Sequence, residues 1–112
     1  MQEHQDEAQA RVRAEAMTGG SAAAGAIAFG RYGCGACHRV RAIAGADGTV
    51  GPPLDHFARR TLIAGRFAND PAKLAAWLET PQRLVPGSGM PDLGVTPRDA
   101  RDMAAYLYTL RP

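Results

Sequence analysis

The apolar positions of this 112-residue chain form one strong helical stripe, two weaker ones, and long stretches with no period. The strongest stripe lies near the C-terminus. Ala100, Met103, Ala104, Leu107 and Tyr108 recur at three- and four-residue spacings, flanked by Tyr106 and Leu110. Thr96-Pro97-Arg98-Asp99 precedes them with an N-cap residue, a first-turn Pro and an acidic residue at the capping-box position. Asp70-Pro71 starts a second helix, with Leu74, Trp77 and Leu78 on one face and Pro81 as its stop. A third is expected over about residues 22–33, where Gly25, Phe29, Tyr32 and Gly33 share a face. Residues 3–17 have high helix propensity but only a thin apolar stripe, and Thr18-Gly19-Gly20-Ser21 breaks the chain after them.

Between His38 and Gly51 lies a loop with a turn signal at Asp47-Gly48, and no paired run of alternating residues is long enough for a sheet. The pattern therefore predicts an all-α domain with long loops. Composition sharpens this reading. With 13 Gly, 8 Pro and only 6% aromatic residues, the chain has few large side chains with which to fill a core. Small domains of this kind borrow stability from disulfides, a metal or a cofactor. The two cysteines can form at most one disulfide. A formal net charge of +2 without a Lys/Arg block argues against a dedicated nucleic-acid binder. No apolar run approaches the roughly 18–20 residues needed to span a bilayer.

The cysteines lie in Tyr32-Gly33-Cys34-Gly35-Ala36-Cys37-His38. Cys-x-x-Cys-His is the signature of c-type haem attachment. Two thiols on one helical turn can each add to a haem vinyl group, and the next residue then points its imidazole along the haem normal. Other readings fit less well. A thioredoxin-like motif needs a strand before Cys34, and no strand-like run is there. A structural zinc site needs further ligands, but only His4 and His56 remain and there is no second Cys pair. A plain disulfide would leave His38 without a role.

A second axial ligand at a sensible distance strengthens the motif. Of the four methionines, Met1 is terminal, Met17 lies in a polar Ala-rich stretch, and Met103 falls on the C-terminal stripe. Met90 stands in Val85-Pro86-Gly87-Ser88-Gly89-Met90-Pro91, an irregular loop with no helical period. Its thioether is a soft neutral ligand that needs no deprotonation, and reaching iron would give this large side chain somewhere to go.

The chain resembles the monohaem class I cytochromes c over about residues 22–111. Three blocks carry the likeness: Cys34-Gly35-Ala36-Cys37-His38; Gly51-Pro52-Pro53-Leu54, similar to the family's Gly-Pro-x-Leu turn; and Leu74 to Met90, similar to its helix–Pro–loop–Met segment. Asp102-Met103-Ala104-Ala105-Tyr106-Leu107 also looks like the family's C-terminal helix. The resemblance implies an all-α class I cytochrome c fold over residues 22–112, wrapped around one covalently attached haem c. Residues 1–21 are expected to form a separate polar helical arm or linker. It implies that Gly25 and Phe29 meet Tyr106 where the first and last helices of the domain cross. It also assigns His38 and Met90 to iron, Cys34 and Cys37 to the thioethers, and the carbonyl of Pro52 to the His38 ring proton.

Other positions carry two readings. Trp77 aligns with an aromatic lining the methionine side of the haem, or it fills the core. Ser88 matches a propionate contact, or it stabilises a turn. Arg60, and after it Arg66, are candidates for the haem propionates, which need bidentate donors; as surface arginines they would serve solubility. His56 reads as a surface or loop hydrogen-bonder. With both axial positions filled, the protein is expected to move one electron at a time, not to act as an enzyme. The expected setting is a soluble carrier or relay module of a respiratory chain, serving redox partners such as a terminal oxidase, a bc-type complex or a dehydrogenase. The alternative is a haem sensor or peroxidase-like protein with a displaceable Met90. Haem attachment of this kind requires export, so the expected location is the periplasm. Residues 1–21 have no apolar region of the kind a signal peptide needs. A leader is therefore expected to have been removed or replaced, or the chain to come from something longer. A membrane tether through a missing N-terminal segment is consistent with either.

Overall fold

A computed structural model describes residues 2–111 of the chain. Five helices follow in order: α1 (Gln2–Thr18), α2 (Ala22–Arg31), α3 (Pro71–Glu79), α4 (Pro81–Leu84) and α5 (Pro97–Tyr108). A minimal hairpin of β1 (Leu62–Ile63) and β2 (Phe67–Ala68) pairs Leu62 with Ala68 and Ile63 with Phe67 in antiparallel register. No sheet was expected, and two-residue strands leave the architecture all-α. Long loops make up the rest, and among the described residues no helix is long and apolar enough to cross a membrane.

The helix starts follow from their caps. Ser21 Oγ accepts from Ala24 N at 3.2 Å, Asp70 Oδ1 from Lys73 N at 2.8 Å, and Thr96 Oγ1 from Asp99 N at 3.1 Å. α2 stops at Arg31, two residues before the expected end, because Gly33 turns the chain at φ +74° and a 3-10 turn begins at Cys34. Pro81 acts as both stop and start. It holds Thr80 at φ −142°, ψ 68°, outside the helical region, and its own fixed φ suits the first position of α4. The sequence pattern did not anticipate α4.

The core forms where α2 and α5 cross. Gly25 lets the backbones touch: a Cβ there would overlap the carbonyl of Asp102 and lie 2.9 Å from Tyr106 Cβ. Beside this contact the Phe29 and Tyr106 rings pack with centroids 6.4 Å apart, as expected. Leu74 and Leu78 bury the inner face of α3 against the same core, and Phe57 meets Tyr108 at 6.1 Å. The N-terminal arm is a docked helix. Ala10 and Ala14 of α1 are buried, at 7% and 1% exposure, while Val12 and Met17 face outward. Two carboxylates secure the junction: Asp102 Oδ1 accepts from Ser21 N and Glu15 Oε2 from Ala22 N, each at 2.8 Å. Both sit at the N-terminus of α2, where the helix dipole favours negative charge.

Candidate functional site

Cys34, Gly35 and Ala36 form a single 3-10 turn, closed by bonds from Cys37 N (3.1 Å) and His38 N (2.9 Å) to the Cys34 carbonyl. Cys34 and Cys37 are free thiols, both half-buried. Burial pushes the Cys34 thiol above its usual pKa, so it is a neutral thiol near pH 7. The following loop folds back over this turn. Gly48 N donates to Gly35 O at 3.0 Å, and Gly51 N to Cys37 O at 2.8 Å.

His38 Nδ1 lies 2.8 Å from the carbonyl oxygen of Pro52. A carbonyl only accepts, so Nδ1 carries the proton and Nε2 keeps its lone pair. The acceptor expected from the resemblance is the one found. Gly51 packs flat on the same ring; a Cβ at this position would overlap the imidazole and come within 2.7 Å of Nδ1. The two loops are also tied together beyond the ring. Asp55 Oδ1 accepts from Arg41 N at 2.7 Å, and Asp55 pairs with Arg39 at 3.5 Å.

Met90 is half-buried and packs against the core together with Cys34, Phe67, Ala75 and Trp77. Ser88 Oγ accepts from Met90 N at 3.2 Å, which is the turn-stabilising role. The larger contribution comes from Gln82, a residue the sequence reading did not single out. Its Nε2 donates to Ser88 O at 2.7 Å and Met90 O at 2.8 Å, and its Oε1 accepts from Gly87 N at 3.0 Å. All three partners of the Gln82 amide are main-chain atoms, so no spacing of residue types announces the arrangement.

Arg60 donates from Nη2 to the carbonyl of Pro53 and lies over the Phe57 ring, 5.8 Å from its centroid. It thus braces the loop that carries Pro52. Arg66 is exposed beside the hairpin turn, with no side-chain bond among those described. Trp77 is half-buried at the edge of the core. His56 Nδ1 donates to Arg111 O at 2.9 Å, as a loop hydrogen-bonder. Among the described residues there is no group of three or more His, Cys, Asp or Glu that could hold a metal ion.

Two free thiols one turn apart suit covalent attachment of a haem, and an imidazole with one nitrogen left as a donor and a thioether in a braced loop are donors that fit its iron. Half-buried apolar side chains packed on the same core, Phe67 and Trp77 among them, are surface of the kind a flat macrocycle covers. Fold and donor set together define a helical haem-binding domain. The chain belongs to the cytochrome c family, whose model matches residues 22–111. A domain of this family carries haem c with its iron and supports electron transfer. The chain is also 33% identical over 84 residues to cytochrome c oxidase subunit 2 of Alkalihalophilus pseudofirmus, a match covering 74% of this chain and 24% of that protein. It therefore corresponds to about a quarter of that relative's length. No solved structure gives a significant match.

Proposed function

We propose that this domain is a one-electron carrier or relay module of a respiratory chain, with one covalently held haem c and His38 and Met90 as axial ligands. The observation that carries this reading is the 2.8 Å bond from His38 Nδ1 to Pro52 O, which leaves Nε2 as a neutral donor beside two free thiols. The haem supplies an iron that changes between ferric and ferrous states by one electron. The chain supplies the rest. Cys34 and Cys37 fix the group through two thioethers. The Pro52 carbonyl accepts the hydrogen bond from Nδ1–H and would so keep Nε2 as the nitrogen offered to iron. Met90 provides an uncharged thioether that favours the ferrous form and raises the potential. With His38 and Met90 both holding the iron, no position would be open for substrate, so the reading proposed is a carrier and not an enzyme.

The likeness to an oxidase subunit supports redox partners such as a terminal oxidase, a bc-type complex or a dehydrogenase. Haem attachment through thioethers supports a periplasmic location, free or as part of a longer membrane-bound chain.

Protein made in a periplasm with haem-attachment machinery tests the reading. The intact mass should show one added haem, and the ferric protein should show the far-red methionine–iron charge-transfer band. Met90→Ala should abolish that band and lower the midpoint potential. A high-spin resting spectrum with rapid cyanide or carbon monoxide binding by the unmutated protein would replace the carrier with a haem sensor or peroxidase-like protein.

A further inference from the structure

The segment between α4 and Met90 contains Gly87, at φ +83°, and Gly89, two residues that give a chain little order of its own. What orders it is the side chain of Gln82, eight positions before Met90. A carboxamide has two donor hydrogens and one acceptor oxygen. Here Nε2 donates to Ser88 O and Met90 O, and Oε1 accepts from Gly87 N. The amide therefore grips three of the four residues that end at Met90. The grip is returned from the far side of the loop, where Asp92 Oδ1 accepts from Gln82 N at 3.0 Å. Met90 is thus enclosed by a clasp: Gln82 reaches forward across the loop and Asp92 reaches back to the start of α4.

We propose that Gln82 is a positioning residue that presents the Met90 thioether to the haem iron and so keeps that face closed to external ligands. The proposal rests on the assignment of Met90 as axial ligand. A thioether is a weak neutral ligand, and its hold on iron depends on how little ordering its loop must undergo to deliver it. Without the clasp, the two glycines would let the loop swing away, and a small donor such as imidazole would compete on better terms. Gln82 would then separate a closed electron carrier from a ligand-binding haem protein.

Imidazole titration of the ferric holoprotein, followed by the Soret and far-red bands, tests this on three variants. Gln82→Glu keeps the size and the acceptor for Gly87 N, but loses both donors and turns a negative oxygen toward two carbonyls. Gln82→Asn keeps the amide and is too short to reach. Arg83→Gln, at the next, exposed position of α4, controls for general loosening of that turn. Imidazole should bind about tenfold or more tightly to both Gln82 variants than to the wild type, and with wild-type affinity to Arg83→Gln. If Gln82→Glu does not fold, Gln82→Asn decides. Affinities within twofold of wild type in the Gln82 variants, even with a lowered melting temperature, would reduce Gln82 to a structural residue and overturn the proposal. A missing far-red band in the wild type would instead overturn the Met90 assignment, and this role with it.

Discussion

Tyr108 donates its hydroxyl proton to Asn69 Oδ1 at 2.8 Å, while Asn69 Nδ2 donates to the carbonyls of Phe57 (3.3 Å) and Arg60 (3.0 Å). One phenol and one amide thereby join α5 to the loop that carries Pro52 and Arg60. Burial, followed by the nearby Asp70 charge, pushes the Tyr108 pKa up to about 12. In the unfolded chain the group titrates near its ordinary value of about 10. The folded state therefore holds the proton more tightly. Its contribution to stability is complete below about pH 10 and is lost as pH rises through about 12. Tyr108→Phe should cost about 1 kcal/mol at pH 8 through the lost hydrogen bond. The gap from wild type should narrow toward pH 12, which urea unfolding at a series of pH values would measure. The same residues show where a sequence can be read. Cys34, Cys37 and His38 stand out in the sequence because their chemistry demands fixed spacing, and Met90 is proposed because a large apolar side chain in a glycine loop needs a destination. Asn69 and Gln82 do not stand out, since their partners are carbonyls and amides that every residue possesses.

Among the elements, α3 and α5 were legible because caps and apolar stripes are local signals. α1 was legible as a helix but not as a docked one. Its buried contacts are Ala10 and Ala14, and alanine reads equally as a helix former and as a packing surface. Small side chains also govern the α2–α5 crossing, and two glycines of α2 allow a matched test. Gly25 and Gly30 lie in the same helix, so replacing either by Ala brings a similar gain in helix propensity, up to about 1 kcal/mol. At Gly30 the new Cβ meets nothing within 4 Å. At Gly25 it overlaps the Asp102 backbone, and backbone cannot rotate away as a flexible side chain can. Gly30→Ala should therefore raise stability by about 0.5 kcal/mol. Gly25→Ala should lower it by about 2 kcal/mol as the helices are forced apart. Thermal or urea unfolding would report the opposite signs. Two changes of the same sign would mean that propensity, not the close approach, controls the crossing.

At the scale of the whole molecule, net charge conceals an uneven distribution. The chain carries +2, and the two ionised propionates of a bound haem would bring the holoprotein close to neutral. On that ground alone, long-range steering should be weak. A cavity of about 910 Å³ changes the expectation. It is walled by α1, α2 and α5 and by the loops following His38 and Pro52. Six arginines, Arg11, Arg39, Arg41, Arg59, Arg60 and Arg111, line it against only two carboxylates, Glu7 and Asp55. The local excess of four positive charges is larger than that of the whole chain, so the remaining surface is net negative. Arg39 follows His38 directly and Pro53 follows Pro52, which places this field beside the histidine side of the site. An anionic oxidant senses the near field, which is screened over about 8 Å at physiological ionic strength, more than the distant net charge. Oxidation of the ferrous holoprotein by ferricyanide should therefore slow as salt is added, with the dependence expected of opposite charges. Joint replacement of Arg39, Arg41 and Arg59 by Gln should flatten that dependence and leave the rate at high salt unchanged. A rate indifferent to salt in the unmutated protein would mean that small anions meet the haem on another face, outside the reach of the arginine cavity.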